Sequence, residues 1–492
     1  MSVDTNNNNI DTMDYSQVAA MQQPAATTTA SPAPASSASD NNLSANGLMN
    51  QYADLISSWI QTMNNSASAP PDGLNLNPND CFGVSSDPAT AEEQLVDLME
   101  WTLQPGFDKR DLAVVWVAAM IGFNVRLNQW SSEYSTNPSD PNYDPSYATI
   151  VDTLNSLSHA EDSNGVLFSD MIVQNLAAMT LYAAYDKTGS LDQANAIVTA
   201  MLNDMNNAYN SANISNPVLT SFDESVQSLL DPTNFNTWES QYLNPDGTLK
   251  NSDVPFAYQC MYVSNPVYQW CADSQSTNNP NSMKAIEAQS ESAWAGNMIA
   301  AGYSTIYVIC LLLILIMDIF YVDAAGVSAQ LNAYTNTEDN YDQMMIDASN
   351  PDLTTEQYDE MNGYAQQVSW SCEFDPRLSS SQAAGSSADL ILGYDNPDDS
   401  SETNLQNWNN AMYPQTTYDS NGNPVAPVDT TNYQSLVTSL NTGMSALTSY
   451  SQNLPTIMQQ YMQMIQQAAT TMQSCVTTNS DTLSYINNRT GS

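Results

Sequence analysis

From Ser292 to Met317 the chain carries no charged residue, and Ile306 to Met317 reads Ile-Tyr-Val-Ile-Cys-Leu-Leu-Leu-Ile-Leu-Ile-Met without a polar break. Such a segment has to leave water, because removing apolar surface from solvent is the dominant favourable term in folding and association. A run of about 18 or more apolar residues is long enough to cross a bilayer. Spanning helices are usually oriented by Lys and Arg near their ends. Here the nearest basic residues are Lys284 upstream and Arg377 downstream, and Asp318 interrupts the pattern before Ile319, Phe320, Tyr321 and Val322. Three destinations follow. The leading expectation is a helix buried in a protein polymer, ahead of a conditional membrane segment over 298–322 and an ordinary buried core helix.

Charge narrows the choice of partner. The net charge of -45 comes from 53 Asp and Glu, an ordinary share of 492 residues, set against only 8 Lys and Arg. Base is missing rather than acid added. Nucleic acid is excluded as a partner, because phosphate binding rests on clustered Lys and Arg. Acidic lipid headgroups are poor partners for the same reason. Copies of so acidic a chain repel one another at long range, so self-association requires seams that carry little charge.

Length and the 42% hydrophobic content fit a folded chain with a sizeable core. Residues 1–46 are Asn, Ser, Ala, Thr and Pro with few large apolar groups, which predicts a disordered leader. The first basic residue is Lys109, so no cationic, apolar Sec-type signal is expected. Residues 47–290 predict an α-helical domain. Leu48 to Met63, Ala91 to Leu103, Asp111 to Trp130, Leu167 to Tyr185, Leu191 to Tyr209 and Pro217 to Leu230 place apolar residues at steps of three and four. Two of these, around Val114 to Ile121 and Ile172 to Tyr185, are apolar on most faces and predict the centre of the domain. Turn-rich Asp273 to Asn281 is expected to end it.

Residues 291–492 form the third block. The apolar run continues through Val327, Leu331, Tyr334, Tyr341, Met344 and Met345, predicting one helix of more than about forty residues that breaks at Asn350-Pro351. A second helix is expected from about Thr354 to Trp370, followed by mostly loop from Ser379 to Asp429. Near the end, Leu436, Leu440, Met444, Leu447, Tyr450, Leu454, Met458, Tyr461, Ile465, Ala468, Met472, Cys475, Asn479, Leu483 and Ile486 recur at steps of three or four, as a coiled-coil-like seam requires. Pro455 should kink or restart this helix. Asp481 is the only charged residue between Thr431 and Asn488, and the opposite face is Gln, Ser, Thr and Asn. Neutral amide and hydroxyl faces can pack on copies of themselves without the cost of desolvating unpaired ions.

No catalytic constellation is visible. His159 is the only histidine and sits in a polar stretch; no phosphate-binding Gly-rich loop occurs, and no cofactor is implied. Cys81, Cys260, Cys271, Cys310, Cys372 and Cys475 are scattered, so a zinc site is not expected and free thiols are. Cys260 and Cys271, the one close pair, could bridge in an oxidising compartment. Asp162-Ser163-Asn164-Gly165 and Asp419-Ser420-Asn421-Gly422 share fragments of a calcium loop but lack its ligand spacing and terminal glutamate, and read as turns. Asp395, Asp398, Asp399 and Glu402 read as a solvated acidic loop.

The order of features from Ala295 to the end resembles the EspA/SseB-like filament proteins of type III secretion systems. Three stretches carry the resemblance. Gly302-Tyr303 leading into Leu311 to Ile319 is similar to that family's apolar helix; Ala388-Asp389-Leu390-Ile391-Leu392-Gly393-Tyr394-Asp395-Asn396-Pro397 is similar to its short acidic-hydrophobic helix; and the Gln/Ser/Thr-rich helix closing in Leu483-Ser484-Tyr485-Ile486 is similar to its C-terminal partner. The resemblance covers roughly two fifths of the chain, and family members are much shorter, so residues 47–290 would be an added domain. It implies an all-α fold in which the apolar helix pairs with the C-terminal helix as a coiled coil. It also implies a secreted, non-enzymatic structural protein that polymerises into an extracellular tube, with itself, a secretion chaperone, and needle-tip and translocator proteins as partners. A single-span pore-forming translocator that enters a host membrane is the alternative. Self-assembly is expected to rest on Ile306, Ile309, Leu312, Leu313 and Ile316, with Leu447, Leu454, Met458, Tyr461, Ile465, Met472, Leu483 and Ile486 opposite.

Overall fold

Four helices begin with the same two-residue device. Asp87-Pro88, Asp144-Pro145, Asn216-Pro217 and Asp231-Pro232 each place a capping side chain ahead of a proline at the first helical position. The cap oxygen accepts a backbone N–H that has no helical partner, as from Tyr147 N to Asp144 at 2.8 Å and Val218 N to Asn216 at 3.0 Å. The proline lacks the N–H that would otherwise be orphaned there. Pairs that look like breaks in the sequence thus act as starts.

The computed structural model describes residues 73–104, 109–300, 304–397, 399–414 and 431–490. It is all α-helical, with no strand among the described residues. The expected leader and the helix expected over Leu48 to Met63 lie outside them. The described residues form one compact unit holding two apolar cores.

The first core, spanning Leu74 to Ile286, is built by α1 (Pro88–Leu103), α2 (Leu112–Trp130), α3 (Pro145–Leu157), α4 (Phe168–Thr188), α5 (Leu191–Ser211), α6 (Pro217–Leu230), α7 (Pro232–Ser240), α8 (Phe256–Asp273) and the start of α9 (Met283–Ala300). Helix α2 is at its centre, as its all-round apolarity predicts: it is long and apolar enough to cross a membrane, yet 83% of its apolar window is buried within the protein. Trp116 packs edge-on against Phe168 at 4.7 Å and donates its indole N–H to Thr102 at 2.7 Å. Gly122 is required where Cys81, in left-handed backbone at φ 59°, brings its carbonyl onto α2; a Cβ would overlap that oxygen.

The second core, Val327 to Leu454, is built by the C-terminal part of α10 (Thr305–Ala348), α11 (Thr355–Phe374), α12 (Gln382–Leu392), α13 (Ser401–Met412), α14 (Thr431–Ser451) and the start of α15 (Leu454–Thr490). Thr354 and Gln357 form a reciprocal capping box at the start of α11. The cores meet where Tyr258 and Tyr262 of α8 pack on Trp370 and Phe374 of α11, with ring centroids 5.4 to 6.4 Å apart. The boundary expected at residue 290 falls inside α9.

Several expectations shift. The stretch from Ser379 to Asp429, expected to be mostly loop, holds α12 and α13. Each is short, 11 and 12 residues, and each is held by tertiary burial of a few side chains, Ala384, Ala388 and Ile391 in α12 and Leu405, Trp408 and Met412 in the polar α13. Helices α3, α7, α8 and α9 are likewise not among the expected segments, although Tyr147, Ile150, Leu154 and Leu157 of α3 stand at steps of three and four. Cys260 and Cys271 are free. Both lie on α8, roughly 16 Å apart along the axis at 1.5 Å per residue, too far for a disulfide.

Candidate assembly surface

Helix α10 is 44 residues long and changes character along its length. Its second half is spaced by sevens: Val327, Tyr334, Tyr341 and Ala348 are all buried. Ala324, Thr337 and Met344 fill the intervening three- and four-residue steps. Phe320 continues the row upstream and stacks on Tyr461 of α15 with centroids 6.0 Å apart. Tyr334 stacks on Tyr450 of α14 at 6.2 Å, and Tyr341 donates its hydroxyl to the Leu440 carbonyl at 2.8 Å. Numbers rise on one helix as they fall on the other, so α14 and α15 run antiparallel along α10.

Pro455 stands where the C-terminal helix restarts, because α14 ends at Ser451 and α15 begins at Leu454. Along α15, Leu454, Met458, Tyr461, Ile465, Ala468, Met472 and Cys475 are buried or half-buried at alternating steps of four and three. The outward face is Gln459, Gln460, Gln463, Gln466, Gln467, Thr470 and Thr471, relieved by exposed Met464 and Val476.

The first half of α10 has no comparable cover. Its most apolar 18-residue window has a mean hydropathy of 2.5, and only 7% of that window is buried. Ile306, Leu312, Leu313 and Ile316 are half-buried and Ile309 is exposed. Tyr307, Ile314 and Tyr321, spaced by sevens, are 46%, 37% and 49% exposed and form a stripe open to solvent. Leu447 and Leu454 belong to the second core, while Met458, Tyr461, Ile465 and Met472 are half-buried on α15. The side chains of Leu483 and Ile486 lie outside those described. The structure therefore brings the two expected halves of the seam onto facing helices and leaves one flank of α10 open.

The foot of the exposed segment meets the first core through charge. Glu100 of α1, Glu287 and Glu291 of α9 and Asp323 of α10 gather near Lys284, whose ammonium pairs with Glu287 at 2.7 Å. Burial, then repulsion from Glu287, pushes the Glu100 carboxyl up to about 9. Burial also raises Glu291 and Asp323. A sequence reading passes over this cluster, although Glu100 within the largely apolar stretch from Leu98 to Leu103 was a signal for it.

Among the described residues no group of three or more His, Cys, Asp or Glu is arranged to hold a metal ion. Asp162 accepts from Asn164 N and Val166 N, both at 2.8 Å, as a turn does. Asp395 is held by Asn404 at 2.9 Å and Asp399 by Asn396 at 3.0 Å. The Asp419 turn and Asp398 lie outside the described residues. His159 Nδ1 is exposed and lies 2.9 Å from Ser158 Oγ and 3.0 Å from the Asn155 carbonyl oxygen. No protein-family model matches the chain, and no curated protein or solved structure matches it.

Proposed function

We propose that the chain is a secreted structural subunit that polymerises into an extracellular tube of the type III secretion filament kind. In this reading the first half of α10 and α15 form a coiled-coil hairpin completed by neighbouring copies. The observation that carries it is the apolar half of α10, covered on one side by α15 and open along Tyr307, Ile314 and Tyr321. Left in water, that stripe would be a large exposed apolar patch, the mark of an interaction site. The outer face of α15 chooses between destinations. Its run of glutamines and threonines would bring many unsatisfied polar groups into hydrocarbon, but it can pack on another copy without desolvating charge. Contacts between unlike faces generate open helical filaments wherever the rotation between copies does not close into a ring. A cytoplasmic chaperone would cover the open stripe before export, and needle-tip and translocator proteins would meet the finished tube.

Negative-stain microscopy of purified protein at moderate salt tests this reading, with tubes of uniform diameter expected. A population that stays monomeric at all concentrations and salt levels would overturn it. One observation favours a second reading, a pore-forming translocator. At about 1.5 Å per residue, the helix from Thr305 to Gly326 reaches roughly 32 Å, close to the roughly 30 Å thickness of a bilayer core. Co-flotation with neutral-lipid vesicles, with dye release and no tubes, would select it.

A further inference from the structure

We propose that the cleft between the two cores seats a short basic segment of another protein. The cleft has a volume of about 1090 Å³ and is walled by α1, α8 and α9 on one side and by α10, α11 and the turn after α11 on the other. It is slightly larger than the usual range for small-molecule sites, about 300 to 1,000 Å³. That size suits a peptide better than a metabolite.

The chemistry of its walls specifies the charge of the guest. The cations on the wall are already engaged inside the protein. Lys109 donates to the carbonyls of Thr102 and Gln104 at 2.6 and 2.9 Å, and Lys284 pairs with Glu287. Asp375 is likewise taken by the fork of Arg377, at 2.7 to 3.2 Å. The acceptors are not all engaged. Asp323 of α10 and Glu373 of α11, both on the second wall, have no hydrogen bond or ion pair among the described residues. Gln104 is 5% exposed, and its buried side-chain oxygen has no partner. Pro266, inside α8, has no N–H, so the Tyr262 carbonyl loses its helical donor on the first wall.

A buried acceptor without a donor is costly, and two carboxylates held in one partly desolvated cleft favour an arriving cation. Burial raises both Asp323 and Glu373, and for Asp323 it outweighs the opposing pull of Lys284, which is itself paired with Glu287. Arginine and lysine side chains supply donors and positive charge together, and the rings of Tyr242 and Tyr262 line the cleft where a guanidinium could stack. Of the chain's own 8 basic residues only Lys109 and Arg110 stand close together, and both are buried, so a basic segment has to come from another protein. This inference stands apart from tube formation.

Calorimetric titration of the full chain with the blocked peptide Gly-Arg-Ser-Gly-Arg-Ser at physiological salt tests it. Saturable binding of one peptide per chain is expected, weakened at least tenfold by Asp323→Asn with Glu373→Gln. The control pair Asp352→Asn with Asp359→Asn, exposed and outside the cleft, should leave it unchanged. Gln104→Leu, which alters no charge, should weaken it several-fold. Equal loss in the cleft and control pairs, or no loss with Gln104→Leu, would mean attraction to the overall negative field and overturn the site. Spermine binding as tightly as the peptide would overturn the assignment to a protein segment.

Discussion

The side chain of Tyr341 occupies the space that a Cβ at Gly443 would fill. The ring is buried, its hydroxyl donates to the Leu440 carbonyl one turn earlier on α14, and the Cα of Ala384 closes the gap from α12 at 3.0 Å from that Cβ position. Three helices of the second core thus converge on a residue with no side chain. Gly443→Ala should destabilise the protein by about 1–3 kcal/mol, the usual cost of overpacking, measured as a lower urea midpoint. Tyr341→Phe removes the atom most in the way, so the double variant should lose less than the sum of the singles. Strict additivity would show that the two residues do not compete for this space.

Stability should rise with acidity. Burial pushes Glu100 up to about 9 and Glu92 up to about 7, both above the ordinary 4.5. The folded state therefore holds these protons more tightly than the unfolded chain. Their contribution is complete below pH 4.5 and is lost as pH rises through 7 for Glu92 and 9 for Glu100, with a limiting slope of about 1.4 kcal/mol per pH unit for each group. Thermal unfolding should occur at higher temperature at pH 5 than at pH 8.5. Glu100→Gln should flatten the dependence and raise stability at pH 8.5. A variant with an unchanged pH profile would remove Glu100 from the account.

Asn216 joins two helices of the first core. It caps α6 through Val218 N, donates to the Met120 carbonyl at 2.9 Å, and gives its own N–H to Asn124 at 3.1 Å, all in a fully buried position. Asn216→Ala should cost about 1–2 kcal/mol, as expected for a lost cap. Chemical denaturation followed by tryptophan fluorescence reads this out directly.

Leu313→Asp with Ile316→Asp places two charges on the half-buried flank of the uncovered part of α10. Tubes should disappear because each new contact would desolvate a carboxylate without a partner. The first core, from Leu74 to Ile286, does not include either residue and should keep its near-ultraviolet dichroism. Normal tubes from this variant would be incompatible with assembly through that flank.

Apolar spacing alone makes the long elements legible. Helix α2 reads as a core helix from residues 114–121, α10 as one helix ending at Asn350-Pro351, and α14 and α15 as a row of threes and fours restarted at Pro455. These are local properties, set by helical period and by proline's missing N–H. Helices α12 and α13 are different: at 11 and 12 residues they are too short to be stable alone, and burial of Ala384, Ile391, Leu405 and Trp408 against other helices holds them. The same holds for function. The charge-free run announces that something must cover it. Which flank α15 covers, which flank stays open, and which carboxylates gather around Lys284 depend on contacts between separate helices, such as Phe320 with Tyr461 and Glu100 with Lys284, and no periodicity within one segment encodes them.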